Sequence, residues 1–412
     1  MKDSGIEWIG EIPDGWELCK GKALYNIATG KLDANAGSPK GLYPFFTCSM
    51  QPKSINSYAF DCEALLVAGN GIVGFTQYYK GKFNAYQRTY VLSEFRNVTP
   101  SFLKHYVSIC LPIEVEPNSV GSVIQFIKLG DLKNFSIVLP KLQEQQSISE
   151  FLDNKCAKID KLIAHEETTI EELKAYKQSV IAEAVTKGLD KSAPMRDSGI
   201  EWIGKIPESW NVSKIKMLAD FNQENSFMDG DWIESPYIED EGIRYITTGN
   251  IGDGMFKRQG NGFISNATFE KLQCKYAYPG DLIFSRLNEE YGRSCILPDD
   301  YEKYVIAVDN VILRTKEEKR YICYATQCTN YHTAVFFLAR GTAMKRISRT
   351  NLGNVSVPLP TIQEQKQIAD YLDKKCADIN GLISIKQQKI EELKEYKKSL
   401  IYEYVTGKKE VV

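Results

Sequence analysis

Apolar residues recur at alternating steps of three and four along two long stretches, residues 139–191 and 359–410, and the second stretch repeats the first at a constant offset of 220. The apolar positions are Leu152, Cys156, Ile159, Ile163, Ile170, Leu173 and Val180 in the first copy. In the second they are Leu372, Cys376, Ile379, Ile383, Ile390, Leu393 and Leu400. This is the a/d seam of a heptad pattern. Pro140 and Pro360 open the two runs, and Gly188 and Gly407 mark their C-terminal caps. A helix of about 40 residues is ~60 Å long, too long to hide its stripe inside one small globule, so each copy is predicted to find its partner in the other. Two seam positions break the apolar rule: seven residues before Leu173 stands Glu166, and seven before Leu393 stands Lys386. Opposite charges at one heptad position predict a pairing of Glu166 with Lys386 that sets the register.

A second repeat frames the first. DSGIEWIGEIPDGW at residues 3–16 returns as DSGIEWIGKIPESW at residues 197–210, an offset of 194, so the chain is a tandem duplication whose second insert is 26 residues longer. Its tryptophans read either as anchors pinning an insert to a helical stem or as a docking surface. The inserts, roughly 18–138 and 212–357, alternate in short runs rich in Tyr, Phe, Val, Thr and Gly, which predicts mixed α/β or mostly β lobes. They share only a layout: GLYPFFTCS faces GIRYITTGN, ALLVAGNGIVGFTQ faces DLIFSRLNEEYGRS, and each ends on a related LP-terminated segment. One scaffold is expected to carry two different surfaces. The predicted domains are 1–138, 139–194, 195–358 and 359–412: lobe, long helix with linker, lobe, long helix. The fold class is mixed α+β with pseudo-two-fold duplication.

Composition narrows the function. The chain has 412 residues, 43% of them hydrophobic, and no run apolar enough to span a membrane; the start of the sequence lacks a signal-peptide pattern, so a soluble, cytoplasmic protein is expected. Ten cysteines without a CxxC pair and three scattered histidines argue against a disulfide framework or a metal site. Catalytic motifs reduce to near misses. Gly21-Lys22 and Gly81-Lys82 lack the phosphate-binding spacing, Gly69 to Gly74 reads as turn glycines, and the acidic residues of Pro298 to Lys303 are too close together for a nuclease site.

The net charge of −2 argues weakly against indiscriminate nucleic-acid binding and says little about a locally basic groove. Residues 18–138 carry 12 Lys+Arg against 7 Asp+Glu. Within them GFTQYYKGKFNAYQR interleaves aromatics with Gln77, Tyr78, Lys80, Lys82 and Arg88, types suited to base edges and phosphates, and Lys128 follows further on. The second insert is balanced, 18 basic against 19 acidic, but concentrates Arg340, Lys345, Arg346 and Arg349 in one acid-free run and Arg286 and Arg293 around a predicted loop. These basic residues are the expected phosphate clamp, and Asn288 beside them is a further DNA-binding candidate.

Trp block, insert, L-P-x-x-Q-E-Q helix with IEELK, and the whole a second time: over essentially its full length the chain resembles the specificity subunit of Type I restriction-modification systems. The resemblance implies a non-catalytic DNA-reading subunit. Its inserts would be two target recognition domains, each reading one half of a bipartite, asymmetric site in double-stranded DNA, on an antiparallel coiled coil that holds them apart. It further implies two modification subunits that methylate adenine with S-adenosylmethionine, restriction subunits using ATP and Mg, no cofactor on this chain, and a role in defence against foreign DNA. The competing expectation is a non-catalytic coiled-coil scaffold whose inserts bind proteins.

Overall fold

A computed structural model describes residues 1–115, 126–287, 292–339 and 345–411. The chain forms two compact units that cut across the sequence repeats: Met1–Thr168 with Lys386–Val412, and Thr169–Ile385. The reason is the stem. The heptad stretches form helices Leu142–Lys187 and Ile362–Val405, of 46 and 44 residues. Each unit contains the N-terminal part of one stem helix and the C-terminal part of the other.

Each stem helix starts just past its proline, where the chain supplies no N–H to the preceding strand. Each ends at a glycine in the left-handed region, φ +74° at both Gly188 and Gly407. In the first unit Asp160 accepts from Lys397 at 2.7 Å and Glu166 from Lys389 at 2.6 Å. Numbers rise along one helix as they fall along the other, so the pair is antiparallel. In the second unit Lys177 donates to Asn380 at 3.1 Å in the same sense. Leu152, Ile159 and Ile170 are buried, as are Leu372, Ile379 and Ile390, whereas Ile163, Leu173, Ile383 and Leu393 are half-buried. A two-helix seam covers only the side chains pointing straight at the partner.

The lobe of the first unit is a six-stranded sheet in the order Asn26–Thr29, Thr89–Ser93, Phe60–Ala68, Thr76–Ala85, Tyr43–Phe46, Lys53–Ile55, with helix Pro100–Val115 packed on it. The second lobe keeps the same order but its sheet is broken in two. One half runs Phe227–Asp229, Asn310–Leu313, Leu282–Ser285, Ser294–Ile296; the other runs Phe263–Ile264, Ile243–Ile246, Tyr304–Ile306, Tyr276–Ala277. The single long strand Thr76–Ala85 corresponds to Ser294–Ile296 and Tyr304–Ile306, separated by the turn-rich LPDDYEK segment. Pro298 cannot donate to a ladder, so it interrupts the strand there.

Both lobes are closed at a neck. Glu17–Lys20 pairs antiparallel with Ser136–Leu139, and Asn211–Lys214 pairs with Ser356–Leu359. Because entry and exit strands lie side by side, each lobe is an excursion whose internal sequence can change without moving the stem.

Candidate nucleic-acid interface

The frame is riveted by the same atoms in both units. Trp16 Nε1 donates to Glu144 Oε1 at 3.1 Å, and Trp210 Nε1 to Glu364 Oε1 at 3.1 Å. Both indoles are buried, and each lies against the glycine that caps the other repeat's stem helix, Trp16 at Gly407 and Trp210 at Gly188. The next glutamine of the motif is fully buried. Gln145 accepts from Thr99 N at 2.8 Å and donates to Asn97 O and Pro140 O, both at 3.0 Å. Gln365 accepts from Glu318 N at 3.0 Å and donates to Pro360 O at 3.0 Å and Glu317 Oε2 at 2.6 Å. An amide in this position satisfies backbone groups at a helix start and a strand end that would otherwise be orphaned. The tryptophans of the two I-P-x-x-W segments are therefore anchors, and the Q-E-Q of the motif is what they and the lobes are fastened to. The signal was present in the sequence as a motif repeated without its partners.

In the stem, Glu166 is 3% exposed and pairs with Lys386 Nζ at 2.8 Å and Lys389 Nζ at 2.6 Å. The hydrogen bond from Lys386, and after it that from Lys389, hold its carboxyl at about 2, well below the usual range. Its cover is the two lysine stems rather than a deep core, so solvent screens the pair. Lys389 escaped the heptad reasoning because it lies off the seam and reaches back along it.

In the first lobe the sequence candidates fall into two groups. Tyr78, Lys80 and Lys82 share the outer face of strand Thr76–Ala85, directly across from Leu65, Glu63 and Asp61 of strand Phe60–Ala68. Tyr78 Oη donates to Glu63 at 2.6 Å, and that bond raises the phenol's pKa; Lys82 sits 4.8 Å above the Tyr58 ring. The face is thus charge-balanced rather than simply basic. Gln77 points to the other side, its amide donating to Met50 O.

The second group is at one end of the sheet. The turn at residues 87–88 follows strand Thr76–Ala85, and Arg88 O accepts from Gly69 N at 2.8 Å while Gly69 O accepts from Ile127 N at 3.0 Å. An isolated bridge joins Asn70 to Phe126. Three segments distant in sequence therefore meet, and they bring together two exposed cations. The Arg88 guanidinium has no partner among the described residues, and Lys128 lies 5.8 Å from the Phe126 ring. Two acids lie close by, Asp131 accepting from Lys128 N at 2.7 Å and Asp33 from Gln87 Nε2 at 2.8 Å, but among the described residues neither is paired with the Arg88 guanidinium.

The second lobe repeats that junction in its backbone. Asp309 O accepts from Arg286 N at 2.8 Å, Arg286 O accepts from Ile347 N at 3.0 Å, and a bridge joins Leu287 to Arg346. Its side chains differ. Arg286 is a correction to the expected clamp: it is buried, with its guanidinium donating to Val308 O at 2.6 Å and paired with Asp229 at 3.2 Å, and burial lowers its pKa. Inside the lobe it braces two segments and has no exposed face for a phosphate. Arg346 pairs with Asp309 at 2.8 Å and Arg349 with Asp229 at 3.5 Å. Lys345 lies 4.0 Å over the Phe336 ring, and Arg293 is half-buried with its carbonyl accepting from Ser285 N at 2.8 Å. Asn288 and Arg340 lie outside the described residues. Three of the expected cations, Arg286, Arg346 and Arg349, are thus gathered into one network, but two aspartates hold them there, and no motif marked those aspartates in the sequence.

Two dissimilar lobes, each closed at a neck and fastened by matching atoms to a shared antiparallel stem, define a scaffold that presents two different recognition surfaces. Residues 13–175 and 207–395 match the family model described as the Type I restriction modification DNA specificity domain, and the chain belongs to that family. It is similar to the Type I restriction enzyme EcoDI specificity subunit of Escherichia coli, 28% identical over 375 residues, covering 87% of this chain and 81% of that one. It is also similar to the MjaVIII specificity subunit of Methanocaldococcus jannaschii, 24% identical over 414 residues, covering 96% and 93%. Among solved structures, a chain of a type I R-M system whose complex assembly and conformational transition were described superposes with a TM-score of 0.70 at 16% identity over 96% of this chain and 98% of that one. The HsdS subunit from Thermoanaerobacter tengcongensis gives 0.51 at 16% identity over 96% and 98%. The chain is a DNA sequence-specificity subunit, in a system whose catalysis lies in other subunits, with which it assembles on DNA. No described helix is long and apolar enough to cross a membrane.

Proposed function

We propose that the two lobes read the two halves of a bipartite, asymmetric site in double-stranded DNA, and that the three-segment pole of each lobe is its reading surface. The observation that carries this is the contrast within each unit: the rivets of the frame recur atom for atom, while the side chains on a backbone junction that also recurs do not. A surface built on a constant backbone with variable side chains is what selective base readout requires. Arg88 and Lys128 supply positive charge at the first pole that no acid pairs among the described residues. Lys80 and Lys82 lie opposite carboxylates and contribute less to phosphate attraction than their number suggests.

In this reading the frame holds two modification subunits, which methylate adenines with S-adenosylmethionine, and restriction subunits that use ATP and Mg join them in the cytoplasm. This chain binds none of those cofactors itself. The test is exchange of residues 18–138 for the insert of another family member in a host carrying the complete system, followed by mapping of methylated adenines. One half-site changes and the other stays. A change in both halves together would refute independent reading by the lobes.

A further inference from the structure

The repeated backbone of the two poles sets individual residues of the two inserts in correspondence. Tyr86 N donates to Phe46 O at 2.8 Å, as Ala307 N does to Ile246 O at 2.8 Å; Thr89 N donates to Tyr86 O at 2.8 Å, as Asn310 N does to Ala307 O at 3.0 Å. Between these bonds each lobe has a two-residue turn, 87–88 in the first and 308–309 in the second. The last turn residue in each accepts at its carbonyl from the neighbouring segment, from Gly69 N in one lobe and from Arg286 N in the other. Arg88 and Asp309 therefore occupy the same position of the same junction.

Their chemistry is opposite. Arg88 is exposed, and its five donors meet no partner among the described residues. Asp309 is an acceptor. Its Oδ1 is held by Arg346 at 2.8 Å, its side chain is 23% exposed, and its Oδ2 meets no donor among the described residues. The ion pair with Arg346 engages one oxygen and leaves the other to accept.

We infer that this turn position is the specificity-determining position of both lobes, and that its reversal of hydrogen-bond polarity makes the two half-sites differ there. Resting on the reading that the lobes bind DNA, the inference names the base edge each takes. Arg88 faces the paired acceptors of guanine, O6 and N7, and Asp309 accepts from the exocyclic amine of cytosine. The unequal half-sites follow from one junction carrying a donor in one lobe and an acceptor in the other.

The experiment uses the full chain assembled with its modification subunits and a pool of randomised DNA duplexes, sequenced after binding. Asp309→Asn keeps the shape of the side chain and converts half of its acceptor capacity to a donor. It reduces the preference for one base pair in one half-site by roughly tenfold or more and leaves the other half-site unchanged. Arg88→Lys, at an exposed position with no partner to lose, does the same at one base pair of the other half-site, so the test survives if Asp309→Asn unfolds its lobe. Equal weakening on all sequences would make the two residues phosphate contacts and overturn the inference. So would unchanged preferences in both variants, or both variants acting on one half-site. A wild-type complex without any base preference would instead overturn the reading of the lobes as DNA readers.

Discussion

The two repeats differ least where they hold the stem and most where they face outward, and the contrast separates two demands on one chain. At the frame, Trp16 with Glu144 and Trp210 with Glu364 make the same bond at the same 3.1 Å, and Gln145 and Gln365 each bond one lobe amide and the carbonyl of the proline before their helix. Buried polar groups tolerate little variation, since a lost partner leaves a desolvated atom behind. At the poles the backbone bonds recur too, but the side chains reverse sign from Arg88 to Asp309. Exposed side chains on a fixed junction can vary at little cost to folding. Specificity can therefore change by substitution at the poles while the frame stays constant.

One further difference lies between these extremes. In the first unit the buried His105 Nε2 donates to Asp153 Oδ1 at 2.9 Å; in the second, Asp373 takes the corresponding place and accepts from Tyr324 at 2.7 Å. The two groups dock a lobe helix on the stem, but only the histidine titrates near neutral pH. Burial lowers its pKa, Asp153 opposes that, and Lys104 and Lys397 reinforce it. Asp160 also lines the groove beside it.

The comparison breaks most visibly at the rivets. Trp16→Ala and Trp210→Ala should each cost about 3–5 kcal/mol, as large-to-small changes at indoles 3% and 1% exposed. Hydrogen exchange should show each loss confined to its own unit; a loss spread evenly over both would deny that the units are separately fastened. Gln145→Leu and Gln365→Leu should cost about 1–3 kcal/mol each, by stranding the Thr99 and Glu318 amides. Urea midpoints check this, and clearly unequal costs would break the equivalence of the two frames.

At the stem, Glu166→Lys should lower the melting temperature, and adding Lys386→Glu should recover part of it; strictly additive losses would discard the pairing. Because the Glu166 carboxyl is depressed to about 2, its contribution is present above the ordinary carboxylate pKa and is lost as pH falls from there toward 2. The smallest effect sharpens the contrast between the units. The depressed pKa of His105 means the unfolded chain binds the extra proton first, so first-unit stability falls as pH drops below about 6.5. His105→Tyr, which installs the second unit's group, should flatten that slope in a pH series of thermal melts. An unaltered slope would place the titration elsewhere.

The repeat, the stem helices with their proline starts and glycine caps, and the opposition of Glu166 to Lys386 were all legible in the sequence, because heptad period, helix punctuation and duplication are local or periodic signals. The tryptophans were visible as a motif, and their burial was one of two open readings. What they bond to was not, since Glu144 lies 128 residues from Trp16 and Glu364 lies 154 from Trp210.

The candidate interface was legible only as residue types. Composition marked a basic surplus in the first insert, but strand register set Lys80 and Lys82 opposite Glu63 and Asp61 and left Arg88 unopposed. It grouped Arg286 with Arg346 and Arg349, whereas burial turned Arg286 inward to Asp229 and Val308. The sequence by itself determined which segments are frame, because a periodic apolar stripe must be covered and its copy is the partner of matching length. Only the tertiary structure decided which charges are spent inside the lobes and which remain for a ligand, because pairing depends on which strands lie side by side, and no local pattern encodes that.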